Sequence, residues 1–135
     1  MIVGIGIDSI EIERFSQWHT YAQTTLERIF SSQEIDYCLK IPIKTAERFA
    51  VRFAAREAFY KALCIMASDL HFPFLTVCKK ISIEVEALPK LVVDWNSLLY
   101  TQRKEQSSLI PYLSMSHNQT TALALVIIEK GVNQI

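Results

Sequence analysis

The stretch from Lys44 to about Met66 constrains the fold most. Its apolar residues recur at helical spacing, which predicts one helix of roughly 23 residues, or about 34 Å at 1.5 Å per residue. In a chain of 135 residues, long enough for one domain with a real core but too short for two, such a rod is the spine on which everything else must pack. Phe49, Phe53 and Ala46 with Ala50 form an apolar stripe along it. Arg48, Arg52 and Arg56 recur every four residues on a neighbouring stripe, so one face is expected to pack and the next to offer cations. Pro42 ends a preceding helix, whose capped start is expected at Ser31 and Ser32 with Glu34.

Around the spine the period changes. Ile2 to Asp8 reads as a strand with Val3, Ile5 and Ile7 on one face and Gly4, Gly6 and Asp8 on the other, and the glycine face leaves room for close approach. From Glu11 to about Ile29, apolar residues at Ile12, Phe15, Trp18, Leu26 and Ile29 suggest two short helices broken near Thr20. Lys80 to Glu86 alternates like a strand, and Leu91 to Val93 after Pro89 suits its hairpin partner. Two further strands are expected at Tyr112 to Ser116 and Thr121 to Ile128, a solvent-face helix within Trp95 to Gln106, and a frayed tail from Gly131 to Ile135. No repeat or low-complexity linker interrupts the chain.

Bulk properties exclude several classes. The 14 basic residues balance the 14 acidic ones, so no global field draws the chain to nucleic acid or to a membrane surface, and a charged partner must be met by a local patch. Cys38, Cys64 and Cys78 are odd in number and widely spaced, which suits reduced cytoplasmic thiols rather than a disulfide framework or zinc site. The first residues read as a strand rather than a signal peptide, and the apolar run from Ala122 to Ile128 is far too short to span a bilayer. Gly4-Ile5-Gly6 lacks the third glycine of a dinucleotide fingerprint.

The candidates for chemistry are few. Magnesium prefers oxygen ligands and takes one or two protein carboxylates, with water and substrate phosphates completing its shell. Asp8 on the strand and Glu57 on the spine meet that need, each held by a rigid element. Taken alone, each is more simply read as structural, Asp8 capping a helix near Ile10 and Glu57 pairing with Lys61 four residues on. Lys61, one turn beyond Glu57, could neutralise a phosphate beside the metal. Ser114, Ser116 and His117 lie on one strand without a third orienting group, which argues against a nucleophile triad. His19 and His71 have no neighbouring ligand pattern.

Three segments together resemble the short holo-acyl-carrier-protein synthase class of 4′-phosphopantetheinyl transferases: Gly4-Ile5-Gly6-Ile7-Asp8, Arg52 to Leu63 with its Arg-Glu-Ala core, and Ser114-Met115-Ser116-His117. The resemblance spans nearly the whole chain in matching order. It implies an α+β fold, a long helix packed on a curved, mainly antiparallel sheet, forming one phosphopantetheinyl transferase domain over residues 1–135. It implies a cytoplasmic enzyme of fatty acid and lipid metabolism that moves 4′-phosphopantetheine from coenzyme A to a serine of apo-acyl carrier protein, depends on Mg²⁺ and releases adenosine 3′,5′-bisphosphate. Asp8 and Glu57 would be its metal ligands, acting catalytically with Lys61. Arg52, Arg56, Lys61, Ser116 and His117 would bind the coenzyme A phosphates, and Arg14, Arg28 and Arg48 would dock the acidic carrier. Short members resemble homotrimers with shared active sites. The general base stays open between Glu57, Asp8 and water.

The chain departs from the family pattern in three places. Arg56 replaces the usual lysine before the glutamate, keeping the charge but exchanging an ammonium for a planar fork. Cys64-Ile65-Met66 extend the helix where the family turns on glycines, and Ala87-Leu88-Pro89-Lys90 lack the glycine of the usual hairpin. Two other classes fit less well: a catalytically silent coenzyme A or carrier-protein binder, and a different magnesium-dependent phosphoester enzyme.

Overall fold

The computed structural model describes residues 1–85, 87–99 and 108–132. Strand β1 (Ile2–Glu11) enters first, and three one-turn pieces follow: 3-10 turns at Ile12–Phe15 and Trp18–Thr20, then helix α1 (Gln23–Leu26). Helix α2 (Ser32–Leu39) leads through a 3-10 turn at Pro42–Lys44 into helix α3 (Thr45–Met66), 22 residues long. Helix α4 (Phe74–Cys78), strands β2 (Ile81–Val85) and β3 (Pro89–Val93), helix α5 (Trp95–Leu98), and strands β4 (Leu109–His117) and β5 (Thr121–Lys130) complete the described elements. Beyond α5, the expected helix through Gln106 falls largely outside the described residues, as do Glu86 and the tail from residue 133.

The long helix runs where the spacing places it, and α2 begins as the sequence reading expects. The Ser31 hydroxyl accepts from the Glu34 amide while the Glu34 carboxylate accepts from the Ser31 amide, a capping box. The N-terminal region differs from the two helices expected there. Its three short pieces are held by their side chains against α3, with Phe15 and Trp18 rings 4.4 Å apart and Trp18 stacked edge-on to Phe53 at 5.8 Å.

All strand pairings among the described residues are antiparallel. β5 lies at the centre of a three-stranded sheet, with β1 and β4 on either side, and β2 pairs with β3 as a separate hairpin. The mainly antiparallel sheet expected from the sequence is present as a three-stranded sheet with the β2–β3 hairpin beside it. Residues in register share a face, so one side carries Gly4, Gly6, Asp8, Ala122, Ala124, Val126 and Ile128, and the other Ile5, Ile7, Leu123, Leu125, Ile127 and Tyr112.

Helix α3 covers the first of these faces, and it comes in tight. A Cβ built on Gly6 would stand 2.9 Å from the Ala58 carbonyl carbon and the Ala62 amide nitrogen, and nearer still to the Ala58 oxygen; at Gly4 it would stand 3.1 Å from the Ala62 carbonyl carbon. Neither glycine has a positive φ, so both are there for space. Ala54, Ala58 and Ala62 lie fully buried along the helix.

Candidate active site

Asp8 does not end its strand, as the sequence reading placed it. The partner β5 is ten residues long and pairs with β1 as far as Glu11, so Asp8 sits inside the ladder opposite Ala124 and caps no helix. The register turns its carboxylate toward α3, through the gap that the glycines open. There it meets two residues one helical turn apart, Glu57 and Lys61.

The Lys61 ammonium donates to Asp8 Oδ1 and to the Ile7 carbonyl, both at 3.0 Å. The Glu57 carboxyl is held above its ordinary value first by burial, then by its side-chain interaction with Asp8 and by the charge of Asp8; Lys61 and Arg14 pull the other way. Asp8 Oδ2 is buried with no hydrogen-bond partner. An orphaned carboxylate oxygen beside a second carboxylate that resists ionising is an anionic pair short of positive charge. A hard divalent cation fits that deficit. Among the described residues no cluster of three or more His, Cys, Asp or Glu exists, so the protein would supply two oxygen-donor side chains and leave the remaining positions to water and substrate, the pattern magnesium favours.

The arginine stripe departs from expectation. Arg56 is fully buried, and its guanidinium grips Glu34 with two bonds, Nη1 to Oε2 at 2.9 Å and Nη2 to Oε1 at 2.6 Å. Arg52 is also buried, with its Nε 3.8 Å from the same carboxylate. The face expected to offer cations is instead covered by α2, which brings Glu34 as the counter-charge. Arg56 is therefore turned away from any phosphate at the surface. Glu34 serves twice, as cap and as buried acceptor, and nothing local in the sequence joins it to a residue 22 positions later. Arg48 is half-buried, stacked 3.9 Å over the Tyr37 ring and donating to the Tyr37 carbonyl at 2.7 Å.

Ser116 and His117 part company. Successive residues on a strand face opposite sides, so Ser116 joins Leu123 and Ser9 on the outer sheet face, whereas His117 joins Ala122 and Ile10 on the helix side. His117 Nε2 lies 3.0 Å from Glu47 Oε1 in the first turn of α3, a partner the sequence reading did not name. The two share a cleft of about 180 Å³ with Lys44, Arg48 and Arg52. Glu47 and Glu57 are ten residues apart on one helix, about 15 Å along its axis. Asp8, Glu57 and Lys61 thus form one group and the His117 cleft another. Arg14 and Arg28 are exposed on the N-terminal pieces, and of these two Arg14 is the one close enough to be felt by Glu57. Larger clefts of about 300 and 550 Å³ flank β2 and hold none of the residues expected at the site.

Comparison with known proteins bears on this arrangement. Residues 4–120 match the model of the 4′-phosphopantetheinyl transferase superfamily. A holo-(acyl-carrier-protein) synthase of Treponema denticola is 36% identical over 129 residues, covering 96% of this chain and 99% of its own. The crystal structure of the synthase of Neisseria meningitidis superposes with a TM-score of 0.71 at 30% identity, covering 96% of this chain and all of that one. The Bacillus anthracis synthase, solved in complex with CoA (3′,5′-ADP), gives a TM-score of 0.69 at 28% identity and covers 97% and 99% of the two chains.

Proposed function

Since this chain belongs to the 4′-phosphopantetheinyl transferase superfamily, among its holo-acyl-carrier-protein synthases, we propose that it transfers 4′-phosphopantetheine from coenzyme A to a serine of apo-acyl carrier protein with the help of Mg²⁺. The observation that carries this reading is the Asp8–Glu57 pair, an under-compensated carboxylate couple with an ammonium one turn away.

Asp8 and Glu57 are the residues that would hold the ion. When bound, it would supply the charge that offsets the coenzyme A phosphates as the bond at phosphorus is exchanged. Lys61 is half-exposed at the rim of the pair, where its ammonium can meet a phosphate oxygen and stabilise charge that grows in the transition state. The carrier serine oxygen forms the new bond to the β-phosphorus and gives up its proton to Glu57, Asp8 or water, while the pyrophosphate bond breaks and adenosine 3′,5′-bisphosphate leaves. Arg14, whose charge reaches Glu57, and Arg28, exposed further along the same N-terminal stretch, would receive the acidic carrier.

The second group suggests a neighbour. His117 with Lys44 and Arg48, beside Glu47, lines a cleft in which cations outnumber the acid, and it stands about 15 Å from Glu57 along α3, so that a neighbouring copy could supply this cleft to the carboxylate group. A homotrimer in which each carboxylate group faces a neighbour's cleft would complete the site. The exposed apolar row on the outer sheet face, Ile5, Ile7, Tyr112 and Leu123, supports such an assembly.

The test is to incubate the protein with coenzyme A, Mg²⁺ and an apo carrier and weigh the carrier by intact mass spectrometry. The carrier should gain one phosphopantetheine, and the gain should vanish with a chelator and in folded Asp8→Ala or Glu57→Ala variants. Full transfer by either variant refutes the carboxylate assignment. Coenzyme A binding without transfer to any carrier would point to a silent binder.

A further inference from the structure

Lys61 makes bonds that a purely substrate-facing lysine would not need. Its ammonium sits between Asp8 Oδ1 and the Ile7 carbonyl, 3.0 Å from each. The Asp8 side chain is only 10% exposed, while that of Lys61 is 54% exposed. Asp8 is fixed inside the β1–β5 ladder. Lys61 is a compact charge on a flexible four-carbon stem and can swing outward without disturbing the fold.

We propose that Lys61 is the resident counter-cation of Asp8 and that it yields this carboxylate to a divalent ion, so that ion binding and the presentation of Lys61 to substrate phosphates are one exchange. The proposal rests on the reading of Asp8 and Glu57 as ion-holding residues. The charges facing the pair are Lys61 and Arg14, and of these Lys61 alone is hydrogen-bonded to Asp8. A divalent ion that added to an unmoved Lys61 would place unlike partners and like charges in one small space. Release of Lys61 removes that repulsion and leaves Asp8 with both oxygens to offer. The freed ammonium loses two acceptors, and a coenzyme A phosphate would replace them, so ion and coenzyme A should favour each other through this side chain.

Calorimetric titration with Mg²⁺ alone, without coenzyme A, tests the exchange. Lys61→Met and Lys61→Gln should bind Mg²⁺ about two- to fivefold more tightly than the wild type, the range for loss of a half-exposed ion pair that competed with it. Arg14→Gln measures the effect of merely removing a nearby positive charge, and should tighten binding less. Circular dichroism melts establish that each variant is folded, and Lys61→Gln decides if Lys61→Met is not. Mg²⁺ affinity in the Lys61 variants that is unchanged, weaker, or no tighter than in Arg14→Gln overturns the exchange while leaving the carboxylate site standing. Absence of Mg²⁺ binding in every protein, both alone and with coenzyme A present, would overturn the carboxylate reading and the exchange with it. Addition of coenzyme A should then raise Mg²⁺ affinity more in the wild type than in Lys61→Gln; equal enhancement would also count against the exchange.

Discussion

Gly6 sets how closely Asp8 approaches Glu57, so Gly6→Ala tests whether the site depends on that approach. The new methyl group would lie 2.9 Å from the Ala58 carbonyl carbon and the Ala62 amide nitrogen, where ordinary contact begins at 3.4 Å. The Ala58 oxygen is closer again, and all of these atoms are helical backbone, which cannot rotate away. Helix α3 must retreat from β1 or the strand must bow. Overpacking of a close-packed interior costs about 1–3 kcal/mol, against which the lower entropy of the unfolded alanine chain returns about 0.4–1 kcal/mol. A net loss of about 1–2 kcal/mol lowers the melting temperature by roughly 3–8 °C for a chain of this size. The larger effect falls on chemistry. The displaced elements are those that carry Asp8 and Glu57, and a shift of about 1 Å in such a group can reduce turnover about 100-fold. Thermal melts and the carrier mass assay should therefore separate, with activity falling far more than stability. Gly131→Ala is the control, because its added carbon would meet nothing nearer than the Ser108 oxygen at 3.5 Å, and it should leave both measurements unchanged. If Gly6→Ala melts and turns over like the wild type, the close contact is not what positions the carboxylates.

Two further outcomes follow from charge and from the sheet. Glu57 binds its proton more tightly in the folded chain than its ordinary value of 4.5 implies, so its contribution to stability is complete below that value and is lost as pH rises through the raised folded-state value. Metal-free wild type should therefore lose melting temperature with rising pH in this window more than Glu57→Gln does, Mg²⁺ should restore more at pH 8 than at pH 5, and identical pH profiles for the two proteins would exclude Glu57 as the source. Ile7→Asp, with a side chain 57% exposed in the single chain, should reduce the mass measured by light scattering from three times 15.5 kDa toward one, and a trimer that persists would remove this face from the interface.

The sequence made legible what depends on local periodicity. The α3 helix, the capping box at Ser31, the β2–β3 hairpin and the final two strands could be read because their signals lie within a few residues. The approach of α3 to β1 was also readable, because paired glycines on one strand face have few other uses. What escaped was settled by partners distant in the chain. The length of β1 is fixed by β5 more than 110 residues later, so Asp8 looked terminal when it is interior. Arg52 and Arg56 read as an open stripe because the acid that buries them is on α2. Glu47 carried no signal at all, since only the fold brings it to His117. The opposite orientations of Ser116 and His117, by contrast, were present in the alternation of the strand itself.

Strand β1 inverts the usual logic of an amphipathic strand, and that inversion links fold to site. Its apolar side chains Ile5 and Ile7 point to the outer face, while glycine and aspartate point into the molecule. A strand that buried its isoleucines against α3 would hold the helix at an ordinary distance and carry Asp8 into solvent on the other side. By giving the inner face to glycine, the chain brings a carboxylate to within hydrogen-bonding reach of a helix residue. The consequence is an apolar row left uncovered on β1 that continues onto β5 and β4 through Leu123 and Tyr112. Burial of such a row contributes roughly 25 cal/mol for each square ångström removed from water, and only another surface can supply it. The same residue pattern that assembles the carboxylate pair within one chain therefore leaves an apolar face on its back, the surface on which the proposed assembly of copies rests.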